Sequence, residues 1–349
     1  MKTRYIAAAC LLSMGSVCYA QSSVTLYGII DTTLRYNSHA NAAGDGQYLM
    51  SDGVIYGSRW GLKGVEDLGG GAKVIFVLEN GFSPANGTFL QGGREFGRQS
   101  YVGLQKDVWG TLMLGRQYTV THDIVSSHDP FALANLAIDG YIGGNYTGAR
   151  LDNTVKYRNT YGPFYVDAAY TFGNVAGSIH TSSSPAIGLG FNSGYWDIGA
   201  TYQVMNDVTT AYFNLPNPAS QQKVWSLTGT WDNGTTRAYF GYVGSRLDVA
   251  GYNNDTGYVA VNQKFTPAFR LTAALYYDRM RHNNESGNRW TFSPMVEYSL
   301  SKATVVYAEA DYTRLSGVWT TTAAIPAFQT PFYGRNSKVG AALGIRHLF

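Results

Sequence analysis

Few residues in this chain are placed to do covalent chemistry. His122-Asp123 and His128-Asp129 fall in one stretch, and imidazole with carboxylate is a donor set that divalent metals take. No strand or helix spacing enforces that grouping, however, and histidines of a polar stretch are more often solvated. The other histidines, His39, His180, His282 and His347, stand alone. No serine sits in a Gly-x-Ser-x-Gly elbow. Gly69-Gly70-Gly71 precedes a strand pattern and lacks the lysine of a phosphate loop, so it reads as a turn. These absences point away from an enzyme and from any metal or cofactor.

The composition sets the next bounds. Of 349 residues, 14% are charged and 14% aromatic, with 41 glycines, 27 tyrosines and 10 prolines. Soluble domains carry about 25% charged residues, and this aromatic content opposes disorder. Lys2 and Arg4, the apolar or small run Ile6 to Val17, and Cys18-Tyr19-Ala20 before Gln21 form a secretory signal peptide over 1–20. Its removal takes away Cys10 and Cys18, the only cysteines, and leaves neither disulfide nor thiol chemistry. The net charge of +3 carries no nucleic-acid signature. After the signal segment no apolar run approaches the ~18 residues of a spanning helix.

The dominant period is two. Val24, Leu26, Gly28, Ile30, Thr32, Leu34 and Tyr36 share one face, while Thr25, Tyr27, Ile29, Asp31, Thr33 and Arg35 form a wetter one. The split recurs along 269–278, 289–300 and 338–349. Such runs exceed the usual strand of soluble sheets and match the roughly 9–11 residues that cross a bilayer at a tilt. A short helical turn is expected only around Asp123 to Ala137. Seven short connectors alternate with eight long polar ones at 37–52, 83–95, 117–149, 174–184, 206–221, 248–254, 281–288 and 316–335. Short turns at one end and long loops at the other fit a transmembrane barrel of sixteen strands. A soluble β-sandwich explains the alternation of faces but not that of connector length. Tyr36, Trp60, Tyr101, Trp196, Tyr202, Trp290 and Tyr298 suit interfacial girdles.

Five ordered segments carry a family resemblance: "SSVTLYGIIDTTLRY", "SRWGLKGVEDLGGGAKVIFVLENGF", "GRQSYVGLQKDVWGTLMLGRQYT", "NTVKYRN" and "LGIRHLF". The chain resembles the general-diffusion porins of Gram-negative bacteria, beta-proteobacterial type. The resemblance implies an all-β, 16-stranded antiparallel transmembrane β-barrel over 21–349 with an inward-folded third long loop, about 117–149. It implies a homotrimer of the outer membrane, reached through the periplasm after signal cleavage. Its partners would be outer-membrane lipid and lipopolysaccharide, the barrel-assembly machinery, and small hydrophilic solutes and ions.

The implied function is a water-filled channel for passive diffusion, with a substrate-selective porin for sugar or anions as the alternative. Inward Tyr165, Tyr195, Tyr239 and Tyr276 are the candidates for stacking a sugar. A barrel enzyme would use a smaller barrel with outward or rim catalytic groups, and no Ser/His arrangement supports one; an adhesive barrel would have a filled lumen and conduct nothing. The family's basic positions fall on Arg59, Arg98 and Arg116, with Lys63 sharing the face of Arg59. Asp123, Asp129 and Asp139 are the acids of the loop. Opposed charges across a constriction give a transverse field, and three basic groups lean the selectivity toward anions, so that Arg116→Ala is expected to move it toward cations. Loop 83–95, with Arg94 and Glu95, resembles the family's subunit-contacting loop. Leu343, Ile345, His347 and Phe349, alternating to an aromatic end, resemble the outer-membrane insertion signal.

Overall fold

The computed structural model describes residues 22–135, 137–208, 220–320 and 335–349. The signal segment, much of 206–221 and most of 316–335 lie outside them. The strands are β1 (Ser23–Asn37), β2 (Gln47–Asp52), β3 (Arg59–Gly69), β4 (Ala72–Gly81), β5 (Gln99–Lys106), β6 (Gly110–Tyr118), β7 (Arg150–Tyr161), β8 (Phe164–Thr171), β9 (Ser184–Asn192), β10 (Trp196–Val208), β11 (Ser220–Asp232), β12 (Thr236–Leu247), β13 (Tyr252–Lys264), β14 (Phe269–His282), β15 (Glu285–Ser299), β16 (Thr304–Leu315) and β17 (Ser337–Leu348). Among the described residues an α-helix, α1 (Val120–Ser127), follows β6, and a π-helical turn, Tyr141–Tyr146, precedes β7.

All strand pairings are antiparallel and the sheet closes on itself through β1 and β17. Seventeen strands fill sixteen positions, because β2 pairs with the Thr32–Asn37 half of β1 and β3 with the Ser23–Ile29 half. Between them, Gly53–Ser58 leaves the wall. Buried Asp31 holds this detour, accepting the Tyr56 N–H at 3.0 Å and the Tyr307 hydroxyl.

The faces follow the alternation. Val24, Leu26, Leu34, Leu343 and Ile345 are exposed on the outer wall, whereas Asp31, Thr33, Arg35, Asn37, Lys338 and Arg346 are buried within. Tyr36, Trp196, Tyr202, Trp290 and Tyr298 lie outward, as a girdle requires. Tyr101 does not: it is in register with Val77, which pairs with the inward Lys63.

Two expected long loops are tight turns. The β12–β13 ladder runs to Leu247–Tyr252 and the β14–β15 ladder to His282–Glu285. Asn283 and Asn284 make the second turn with φ of 49° and 64°, the left-handed pair of a type I′ hairpin that asparagine tolerates. Polar residues there belong to ladders rather than loops. The helix is also earlier than expected: Thr119 caps it by accepting the His122 N–H at 3.0 Å.

The seam is locked on both faces. Inside, Arg35 reaches across β17 to Glu309 at 3.1 Å and to Asp311, over Gly340, where a Cβ would meet the guanidinium. Outside, Gly28 and Phe349 exchange backbone hydrogen bonds of 2.9 and 3.1 Å, and the Phe349 ring lies where a Cβ on Gly28 would stand, at 2.2 Å. Gly28→Ala must push the ring aside. We expect a loss of about 1 kcal/mol, seen as a lower guanidinium midpoint for refolded barrel; an unchanged midpoint would mean the ring contributes nothing to closure.

Candidate pore site

Three arginines meet on the inner wall. Arg59 opens β3 in register with Ile29 and Gly81, on the inner face. Its Nε donates to the Gly57 carbonyl at 3.0 Å. Arg98 lies just before β5 and donates from Nε to Glu79 Oε1 at 2.7 Å, while the Tyr27 hydroxyl donates to Glu79 Oε2 at 3.0 Å. Arg98 and Arg150 both donate to the Tyr118 hydroxyl, Arg150 at 2.6 Å. The Tyr118 ring lies 4.2 Å from the Arg150 guanidinium and 5.9 Å from that of Arg98. A ring face attracts cations, so one tyrosine and one carboxylate hold a like-charged group together. Lys63 lies further along the same face, exposed, 5.3 Å from the Tyr27 ring.

Arg150 and Glu79 were not singled out in the sequence. Arg150 stands at a loop end, where parity is undefined; Glu79, at the end of an apolar strand, was the available signal. Arg116 goes elsewhere. Its register partner is Ser100, two residues from the outward pair Val102 and Leu114, which places it on the outer face beside a bulge at Gly115/Gln117. It binds Asp152 at 2.6 Å and the Gly97 carbonyl at 2.7 Å, and Arg94 shares Asp152 at 2.8 Å.

The three acids of the loop also part company. Asp123, on α1, is paired with Lys156 and, at 3.3 Å, with Arg158, which also holds Asp167. Against burial, which would raise it, these cations hold Asp123 below the usual carboxylate range. Asp129 accepts the N–H groups of Phe131 and Leu133 at 2.9 and 3.2 Å and the Tyr276 hydroxyl at 2.7 Å. Asp139 is fully buried. Burial, and then the adjacent Asp129, push Asp139 well above the carboxylate range. Asp129 and Asp139 thus form a buried acid pair, not two open anions.

The histidines are separated as well. His122 stacks on Tyr118 at 4.5 Å, whereas His128 meets Thr228 at 2.8 Å and Asp197 at 3.2 Å. Among the described residues no group of three metal-ligating side chains forms.

What docks the segment after α1 is a second buried arginine. Arg289 of β15 donates to the carbonyls of Ala137 and Ile138 at 3.0 and 3.2 Å. Its guanidinium lies 4.5 Å from the Tyr141 ring and 5.6 Å from that of Trp319. Beside it, Asp278 accepts from Tyr146, Thr256, Asn254 and the Trp319 indole, the last at 2.7 Å. Tyr276, a stacking candidate in the sequence, is fully buried beneath this segment.

Docking of α1 should depend on pH. Burial, with Arg150 beside it, pushes His122 down to about 3. A free imidazole protonates near 6.5. The released segment therefore takes up a proton between these values that the docked one refuses, and docking weakens as pH falls from about 6.5 to about 3. The raised Asp139 works oppositely: its contribution is present in acid and lost as pH rises through its elevated pKa. Amide protection over 119–147, taken against the free-peptide exchange rate at each pH, should fall on acidification in the wild type and fall less in His122→Gln; equal acid responses would exclude His122 as the cause.

A closed antiparallel barrel with an apolar outside, a charged inside and strands of bilayer-crossing length is a transmembrane β-barrel of the pore-forming class. The comparisons name the family. The chain belongs to the Gram-negative porin family, which matches residues 7–317, and its place is the outer membrane. It is 41% identical over 189 residues to an outer membrane porin protein of Bordetella pertussis, 49% of this chain and 48% of that one. It is 36% identical over 180 residues to outer membrane porin protein 32 of Delftia acidovorans, 49% of this chain and 50% of that one. The chain thus spans about half the length of these curated relatives in the match. An anion-selective porin from Comamonas acidovorans shares the fold, with a TM-score of 0.77 at 22% identity, over 94% of this chain and 100% of that one.

Proposed function

We propose that the barrel is a water-filled channel for passive diffusion of small hydrophilic solutes and ions, with a preference for anions. The carrying observation is the inward group Arg59, Arg98 and Arg150, balanced by Glu79 alone among its close partners. Fixed charges at a narrow section select permeant ions, and screening limits each to about 8–10 Å at physiological salt. The loop about 117–149 supplies the narrowing, with Lys63 further along the path. Asp123 is neutralised by Lys156 and Arg158, and the buried acid pair presents no open anion, so the counter-field across the lumen is weak. The anion arm of the substrate-selective alternative fits this group; the sugar arm loses Tyr276 to the docked segment.

The same reading takes 1–20 as a cleaved signal and the barrel as a homotrimer among outer-membrane lipid and lipopolysaccharide. Leu343, Ile345, His347 and Phe349 are then the mark read by the assembly machinery. No reaction is assigned to the chain. Single-channel current in a planar bilayer under a salt gradient tests the proposal: steps in triplets with an anion-sided reversal potential are expected. Insertion without conductance would defeat it.

A further inference from the structure

The outer wall carries a cationic patch that the channel does not use. Lys223 of β11 is in register with Arg246 of β12, Arg246 with Asn253 of β13, and Asn253 with Arg281 of β14. One step inward, Asp255 faces Arg279. All lie near strand ends on the long-connector side. Their chain neighbours Val224, Ser245, Asn254, Asp278 and Met280 are fully buried inside, so the patch faces out.

Asp255 is the acid at its centre, while Asp248 lies at its edge, where it accepts the Gln221 N–H at 2.6 Å. Asp255 pairs with Arg246 at 2.8 Å and with the half-exposed Arg281 at 3.0 Å, and accepts the Tyr242 hydroxyl. Arg246 also lies 4.9 Å from the Trp225 ring. Lys223 and Arg279 are exposed and, among the described residues, have no ion pair or hydrogen bond. Below the charges on the same face come Leu227, Tyr242, Tyr277 and Trp290 in one register row, then the exposed apolar Val259, Leu275 and Phe292.

That sequence of zones matches one kind of molecule. Aromatic rings of a barrel sit at headgroup level. Cations just beyond them lie where lipid phosphates lie, and each adds to the attraction of an anionic surface. We propose that Lys223, Arg246, Arg279 and Arg281 form a site for the phosphate-bearing headgroup of a bilayer lipid, whose acyl chains run down the apolar wall. Asp255 orders Arg246 and Arg281, and Lys223 and Arg279 supply the unmatched charge. The apolar track beneath is what commits the site to a lipid rather than to free phosphate. The inference rests on the reading that this wall faces a membrane.

The test is native mass spectrometry of detergent-solubilised barrel titrated with phosphatidic acid. Its comparisons are phosphatidylcholine, and inorganic phosphate in excess as competitor. The variant K223Q/R279Q/R281Q should lose affinity for phosphatidic acid on the order of 100-fold. The equal-charge variant K106Q/K264Q/K302Q, at the short-turn end, should bind as the wild type does. Unchanged binding by the patch variant would overturn the site. Full displacement by inorganic phosphate would overturn its assignment to lipid. Conductance of all three proteins reports the channel separately: an open pore with intact lipid binding in the patch variant rejects this site alone, and a closed wild type rejects the channel alone.

Discussion

Arg289→Ala should free the segment 131–147 while leaving the wall intact. The side chain is 1% exposed, and its loss removes two hydrogen bonds to the Ala137 and Ile138 carbonyls and the cation over Tyr141 and Trp319. Breaking a buried charged contact costs about 3 kcal/mol or more, which corresponds to roughly 100-fold faster hydrogen exchange if exchange proceeds by local release. The rise should be confined to that segment, because the β14–β15 ladder depends on backbone pairing. In the bilayer the variant should show noisier open current. Arg289→Lys keeps the charge but not the planar fork and should fall between. Unchanged exchange in both variants would show that the tyrosines and Asp278 suffice.

The second large effect separates two arginines that the sequence alone treats alike. Arg150→Ala removes a positive charge from the inner group. A unit charge about 7 Å from a permeant ion in water is worth about 0.6 kcal/mol. Acting oppositely on anions and cations, it should change their permeability ratio by roughly five- to ten-fold, and more where the lumen is less polar than water. Arg116→Ala, on the outer face with Asp152 and Arg94, should leave the reversal potential where it was. The reverse pattern would move Arg116 into the conducting path and empty the proposed inner group of its role.

That pair also marks how much was legible beforehand. Strand faces were, because one wall meets lipid and the other water, so a period of two is enforced over most of the length. The closure was, through the matching alternation of the first and last strands. Position along a ladder was harder to read. Asn253 and Arg281 fall in the expected loops 248–254 and 281–288, yet their strands continue past the apolar zone. Arg116 was expected inside on family position, against its parity with Leu114. Arg289 acts through the carbonyls of Ala137 and Ile138 and Arg150 through Tyr118, its register partner on β6, and no pattern within either residue's own strand encodes those contacts. Asp129 and Asp139 are acids in a polar stretch, and only the docked segment turns them into a buried pair.

The two-sided seam has a consequence for how the molecule is built. Neighbouring strands elsewhere pair through connections local in sequence, so hairpins can form independently and early. The β1–β17 pairing joins Ile29 to Leu348, and closing a loop of that span costs about 5 kcal/mol of chain entropy before any contact repays it. Ring closure is therefore the slow, committing event of assembly. Until it happens both terminal strands are open edges that could pair with another chain. Substitutions at Gly28, Arg35 or Gly340 should then slow folding, whereas hairpin substitutions elsewhere should chiefly hasten unfolding.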